Sequence, residues 1–159
     1  MTAFVVNVLL ALIWSVTIGD FTPANFLFGL ALGYVALRIA WNRGSRAPNP
    51  YFDKLPKIIS FAAFFLKELI SANVKVAVQT LSRIDTLRPA IVAIPIEPMS
   101  DTEITLLANL ITLTPGTLSM DVSGDRSTLF VHFMHVEDAE AQRREIKDGF
   151  ERRVLEVMR

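Results

Sequence analysis

Between Met1 and Asn42 the chain carries only two charged side chains, Asp20 and Arg38. Two apolar runs, Ala3 to Ile18 and Asn25 to Trp41, flank a breaker, Gly19-Asp20-Phe21-Thr22-Pro23-Ala24-Asn25. Pro23 suits the first turn of a following helix, where its missing N–H costs nothing. A full helical span of a bilayer takes about 20 apolar residues, with about 17 as the lower limit. Both runs are short, although the first stretches to about Phe21. The expectation is a transmembrane hairpin over residues 1–42. Immediately beyond it come Arg43, Arg46, Lys54 and Lys57 against a lone Asp53. Lysine and arginine beside a membrane segment mark its cytoplasmic end, so only the connecting turn is expected outside. No Lys or Arg precedes the first run and no small-residue cleavage pattern follows it, so the N-terminus is expected to be retained.

The 159 residues are 52% hydrophobic and 20% charged, with mean hydropathy +0.40. That suits a membrane half followed by a soluble half. The formal net charge is zero, which suggests no nucleic-acid partner. With no cysteine there is no disulfide framework, thiolate metal site or cysteine nucleophile.

Both apolar runs carry small residues at helical spacing. Ala3, Asn7, Ala11 and Ser15 recur every fourth position in the first, and Gly29, Gly33, Ala36 and Ala40 line one side of the second. Small residues let helix backbones approach closely where lipid offers no hydrophobic drive. Asn7, Ala11, Gly29, Gly33 and Ala36 are therefore candidate packing residues, one face serving the hairpin and one serving partner helices. No Lys, Glu, Asp or His sits mid-span, so this half offers no proton or cation relay of its own.

A third apolar stretch, Leu55 to Leu81, places Ile58, Phe61, Ala62, Phe65, Leu69, Val76 and Ala77 on one broad face. Ser60, Lys67, Ser71 and Lys75 fall on the other. Lys67 and Glu68 fall near its middle, where a spanning helix suffers most, and both flanks are basic (Lys54, Lys57; Arg83, Arg88). An amphipathic helix lying along the cytoplasmic surface or leaning on a partner is preferred over a third span with Lys67 and Glu68 buried against a neighbour. Residues 43–88 thus form a basic linker and interfacial helix.

Residues 89–159 change to short elements. Ala90 to Glu97 alternates, and Pro95 confines it to a sheet edge. Ser100-Asp101-Thr102-Glu103 is a capping box, opening a helix that stops before Pro115-Gly116. Leu118, Met120 and Val122 alternate with polar residues in a second strand. Ser123-Gly124-Asp125-Arg126 turns the chain into Thr128 to Val136, apolar on both faces and hence central. Asp138 caps a last helix with Ile146, Phe150, Val154 and Val157 inward. The order β-α-β-β-α, with an edge first strand and a central third, gives a small α+β cytoplasmic domain of the ferredoxin-like, split βαβ kind.

Catalytic constellations are missing from the sequence. It has no glycine-rich phosphate loop and no HExxH, and its two histidines, His132 and His135, point to opposite faces of the strand. No cofactor or metal site is indicated.

The stretch Leu110-Ile111-Thr112-Leu113-Thr114-Pro115-Gly116-Thr117, leading into Leu118-Ser119-Met120-Asp121-Val122, is the most distinctive. Pro115, Gly116 and Thr117 form its structural turn. With the short N-terminal hairpin, the Pro-Lys-Ile at Pro56 and the terminal helix, the chain resembles the E subunit of the Mrp-type (Mnh, Pha) multisubunit cation/proton antiporters over nearly its whole length. The resemblance implies a small accessory subunit of a bacterial inner-membrane assembly that exchanges Na+ or another monovalent cation for protons. Its partners would be other membrane subunits and the lipid bilayer. Ion translocation would lie with large subunits, and the resemblance carries over no catalytic residue. A membrane-anchored adaptor or sensor is the alternative.

Overall fold

The computed structural model describes residues 2–44, 49–81 and 87–159. Arg46 and Arg83, part of the basic flanks read from the sequence, lie outside them. The chain divides into two compact units, residues 1–56 and 57–159.

The first unit is built on α1 (Thr2–Ile18) and α2 (Pro23–Gly44). α1 ends at Gly19, whose φ of +75° suits glycine; the N–H groups of Gly19 and Asp20 both reach the Ser15 carbonyl, at 3.0 and 3.2 Å. Asp20 then organises the connection. Its carboxylate accepts from the Thr22 N–H and from the Thr22 hydroxyl, each at 3.0 Å. The Thr22 hydroxyl accepts from Asn25 N–H at 3.4 Å, so Thr22 caps α2 and Pro23 takes its first position. Asp20 is thus occupied in turn geometry. Among the described residues α2 is the helix long and apolar enough to cross a membrane; α1, with 17 residues, is shorter.

α3 (Pro50–Leu81) begins five residues earlier than the apolar stretch in the sequence. Asn49 explains the start: its side chain accepts from the Tyr51 N–H at 3.0 Å, and Pro50 occupies the first helical position. Pro56 sits inside the helix. It has no N–H to offer the Phe52 carbonyl one turn back. The Tyr34 hydroxyl from α2 approaches that carbonyl at 3.5 Å and itself accepts from Arg38 Nη1 at 3.0 Å. Tyr51 and Phe52 complete an aromatic cluster with Phe4, Tyr34 and Trp41.

The second unit holds a three-stranded antiparallel sheet. β1 (Ala90–Pro95), β2 (Thr117–Val122) and β3 (Thr128–Phe133) lie in the order β1-β3-β2. β1 and β2 are therefore parallel across the central β3, joined by α4 (Asp101–Leu113). Ser100 caps α4 in a full capping box with Glu103. The C-terminal region comprises α5 (Ala139–Arg144), capped by Asp138, a π-helical turn (Glu145–Glu151) and α6 (Arg152–Met158).

One face of the sheet supplies Val92 and Ile94 from β1 and Leu129, Val131 and Phe133 from β3. They pack with Leu107 and Ile111 of α4 and with Ile146, Phe150 and Val154. The second strand departs from its sequence pattern. Leu118 and Met120 are exposed, while Ser119 turns inward, its hydroxyl donating to the Ala108 carbonyl at 3.0 Å. Its N–H donates to Thr112 Oγ1 at 3.1 Å. A bulge between Ser119 and Asp121 resets the alternation before Val122. Strand β3 ends at Phe133, short of the expected Val136, although the Met134 N–H still reaches the Gly116 carbonyl and the Val136 N–H the Arg88 carbonyl, each at 2.9 Å.

Of the broad apolar face read on α3, Phe61 and Phe65 pack, with the neighbouring Phe64, on the domain core. Phe64 meets Phe150 edge-on at 5.5 Å between centroids and lies under Arg153, 3.9 Å from its ring centre. Aromatic and guanidinium faces stabilise one another in this arrangement.

Candidate packing seam and structural turn

The first candidate site is the seam between α1 and α2. Ala3, Asn7, Ala11 and Ser15 are all buried, and from α2 so are Gly29 and Gly33. A methyl at Gly29 would stand 3.1 Å from the Ala11 Cα and 3.1 Å from Trp14 Cδ1. At Gly33 it would overlap the Asn7 side-chain oxygen. Two glycines thus let α2 lie on the backbone of α1, as small residues do in lipid. Above them Trp14 Nε1 donates to Asn25 Oδ1 at 3.0 Å. Ala36 is different: it is exposed and lies outside this seam.

Asn7 is the chemical centre of the seam. Its amide nitrogen donates to the Leu30 carbonyl at 3.1 Å and to the Tyr51 hydroxyl at 2.6 Å. One buried amide therefore ties three helices, α1, α2 and the first turn of α3. Among the described residues its oxygen has no hydrogen-bond donor, and it faces Gly33. Sequence reading marked Asn7 and missed Tyr51. A lone tyrosine at a helix start carries no signal of a partner forty-four positions away.

The second site is the turn after α4. Gly116 has φ +88°, a conformation in which a side chain is strained. A Cβ there would also stand 3.2 Å from Val76 Cγ2 of α3. The Thr117 hydroxyl lies 2.5 Å from the Ile111 carbonyl and 2.9 Å from the Thr114 carbonyl. Both carbonyls also accept a backbone N–H, Ile111 from Thr114 at 3.0 Å and Thr114 from Thr117 at 3.2 Å, so the hydroxyl reinforces a turn that the main chain already closes. Pro115 cannot continue the helix. Pro115, Gly116 and Thr117 border a cleft of about 310 Å³, shared with Val76, Lys75, His135 and Glu145 among others.

Elsewhere polar groups serve structure. Glu103 accepts from the Ser100 N–H at 2.8 Å, from its hydroxyl at 2.9 Å and from Arg159 Nε at 3.1 Å. The bonds from Ser100, followed by Arg159, hold its carboxyl below the usual glutamate range. Asp125 is lowered in the same way by the Ser123 hydroxyl, then by Ser127, in the β2–β3 turn. Glu151 is buried and accepts from the Glu97 N–H at 2.6 Å, pinning the exit of β1. His135 lies beyond β3, where its Nδ1 accepts from the Arg88 N–H at 3.2 Å. Among the described residues no group of three or more His, Asp or Glu could hold a metal ion.

The comparisons with known proteins agree with this picture. The family model described as a Na+/H+ ion antiporter subunit matches residues 7–157. The E subunit of the Na(+)/H(+) antiporter of Bacillus subtilis is 42% identical over 153 residues, covering 96% of both chains. The corresponding E subunit of Alkalihalophilus pseudofirmus is 39% identical, covering 95% of this chain and 94% of that one. Two solved structures are similar. One is a chain of the membrane-bound sulfane sulfur reductase, an archaeal respiratory membrane complex, with TM-score 0.55 and 25% identity, covering 97% and 98% of the two chains. The other, from the Mrp complex of Dietzia sp. DQ12-45-1b, has TM-score 0.50 and 28% identity, covering 64% of this chain and 96% of that one. A helical N-terminal region with one long apolar helix, a small antiparallel sheet flanked by helices and relatives aligned from end to end identify the chain as a member of the E-subunit family of Mrp-type Na+/H+ antiporters.

Proposed function

We propose that this chain is an accessory, non-catalytic membrane subunit of a multisubunit Na+/H+ antiporter, serving the assembly or stability of the complex. The observation that carries the reading is the use made of polar groups in the first unit. Asn7 is spent on joining helices and Asp20 on shaping a turn. An ion pathway needs titratable or coordinating groups lining a route, and α1 and α2 hold no carboxylate or histidine. In this reading α1 and α2 form a membrane hairpin in a bacterial inner membrane. The sheet-bearing unit is a ferredoxin-like cytoplasmic domain, and the outer surfaces of α1 and α2 meet lipid and other subunits. Exposed Phe4, Ile13, Val16, Leu27 and Phe28 suit such surroundings.

The test is removal of this subunit from the expressed set, followed by purification of the remaining complex and measurement of Na+/H+ exchange per particle in vesicles. A reduced yield with near-normal exchange per assembled particle is expected. A full yield of intact but inactive complex refutes an accessory role. Single cysteines at Asp20 and Asp53, challenged with an impermeant thiol reagent on whole cells, test the topology in the same strains. Labelling at 53 and not at 20 refutes it.

A further inference from the structure

The sheet has one face in the core, and its other face is not polar. Across β1, β3 and β2 the residues Ile91, His132 and Leu118 form one row, and Ala93 and Phe130 stand side by side in the next. They alternate along their strands with the core residues Val92, Ile94, Leu129 and Val131, so they point the other way. Ile91 and Leu118 are 59% and 45% exposed, and Met120, the extra residue of the bulge, is 53% exposed. An antiparallel sheet with one face in water commonly alternates apolar inward with polar outward. β1 departs from that rule at Ile91 and Ala93 and β3 at Phe130, although the inward positions of both strands are already filled.

Edges, charge and size narrow what can cover this face. Neither edge offers an unbroken ladder to a joining strand. The β2 N–H groups of Thr117, Ser119 and Val122 donate to the Thr114 carbonyl at 3.2 Å, to Thr112 Oγ1 at 3.1 Å and to Asp121 Oδ1 at 2.8 Å. On β1 the Ala93 and Pro95 carbonyls accept from Arg143 Nε at 2.8 Å and Lys147 Nζ at 3.1 Å. Strand addition needs such groups free. Charge opposes anionic lipid: the three strands hold no lysine or arginine, and their one carboxylate is the exposed Asp121, opposite Phe130. Area opposes a second copy. Strands of six residues, at about 3.4 Å per residue and about 4.8 Å apart, give a face of roughly 20 by 15 Å, or about 300 Å², where a stable pair buries about 800 Å² per partner. That width does admit one α-helix, about 10–12 Å across with its side chains, and a helix is a layer that sheets accept on a face. We infer that the face of Ile91, Phe130, Leu118 and Met120 receives the apolar side of one α-helix from another subunit of the antiporter. So small a face suffices because subunits already joined through the membrane dock at high effective concentration. The inference rests on membership of the multisubunit assembly proposed above.

The test uses the whole antiporter set expressed together. Photoreactive benzoylphenylalanine would replace Leu118 or Met120, with the exposed Glu140 as the control position, and cross-linked peptides from the purified complex would be identified by mass spectrometry. The expected result is a cross-link from 118 and 120 to an apolar residue on a helix of another subunit, several-fold more abundant than any from 140. In parallel, Leu118→Lys with Met120→Lys should lower recovery of this subunit in the purified complex several-fold. Both side chains are exposed, so the isolated chain should keep its wild-type protease resistance. Where the lysine pair does cost that resistance, the cross-links alone decide, since they need no charge on the face. Cross-links from 118 and 120 only to lipid, to a second copy of this chain or to nothing overturn the inference, as does wild-type recovery of the lysine pair. If the wild-type chain itself fails to purify with the other subunits, the proposed function fails first. Purification with them and no cross-link from this face sinks the inference alone.

Discussion

Gly33→Ala adds one methyl at the most crowded point of the α1–α2 seam. The new Cβ would overlap the Asn7 side-chain oxygen, so either the helices part or the amide rotates away. Rotation forfeits the bonds to the Leu30 carbonyl at 3.1 Å and the Tyr51 hydroxyl at 2.6 Å. Two such bonds at about 0.5–1.5 kcal/mol each amount to about 1–3 kcal/mol. Bilayer measurements, averaging about 0.6 kcal/mol per interhelical bond, favour the lower end. Gly29→Ala meets a different obstacle, the Ala11 backbone at 3.1 Å, which cannot turn aside. The two glycines therefore respond differently to removal of the asparagine. Asn7→Ala should itself weaken the seam, yet the double variant with Gly33→Ala should be more stable than the summed single effects predict. The Gly29→Ala effect should add to Asn7→Ala without relief. The assay is thermal unfolding of the purified full chain in detergent, with assembled-complex yield as a second readout. Additive effects at 7 and 33, or equal relief at 29, would refute the argument that Asn7 and Gly33 are fitted to each other.

Two further outcomes are expected. Gly116→Val places a β-branched residue at φ +88° and brings its Cβ within 3.2 Å of Val76, so a cost of about 1–3 kcal/mol is expected from the strained residue alone; limited proteolysis of membranes should show a cut sheet-bearing unit beside intact apolar helices, and wild-type resistance with lost transport would contradict a purely structural turn. Because Ser100 and Arg159 lower the Glu103 carboxyl below its ordinary 4.5, folding gains from its ionised form above that value and loses the gain as pH falls through the lowered one; the gap in urea midpoint between wild type and Glu103→Gln should be present at neutral pH and close in acid, and a gap that widens in acid would reverse the sign.

What the sequence made legible follows from how local each signal is. The capping box at Ser100, the Gly116 turn and the cap at Asp138 are set by residues within a few positions, and each is present. The central place of Thr128 onward could be read because an edge strand with Pro95 and a tight turn leave few pairings. Failures came where a long-range partner chose between equal local options. The second strand offers Leu118 and Met120 to one face and Ser119 to the other. Hydrophobicity alone sends the leucine inward; the Ala108 carbonyl and Thr112 hydroxyl of α4 pull Ser119 in, and the bulge after it absorbs the mismatch. On α3 nearly every turn has apolar residues on two sides, so periodicity could not tell which side meets the core. For the seam, spacing pointed to Asn7, Ala11, Gly29 and Gly33, and it equally pointed to Ala36, which is exposed.

That difference between Gly33 and Ala36 bears on how the first unit is organised. A stripe of small residues is available to any neighbour, but a buried amide is not, because its donors need acceptors within bonding distance. Asn7 meets this need with a main-chain carbonyl of α2 and the hydroxyl of Tyr51, just after the Asn49 cap of α3. Two local devices, a glycine that admits the amide and a cap that starts the next helix, thereby converge on one side chain. The consequence is that the first turn of α3 is tied to the apolar pair by polar geometry, whereas the pair itself is held by close packing. Loss of the Tyr51 hydroxyl in Tyr51→Phe should therefore leave α1 and α2 together while loosening the start of α3. Paired spin labels across α1 and α2 should keep their separation in this variant, while a label at the exposed Asp53 should gain mobility. A widened α1–α2 distance with an unchanged signal at 53 would contradict this division, because the hydroxyl would then be holding the pair and the packing of Gly29 and Gly33 would not suffice.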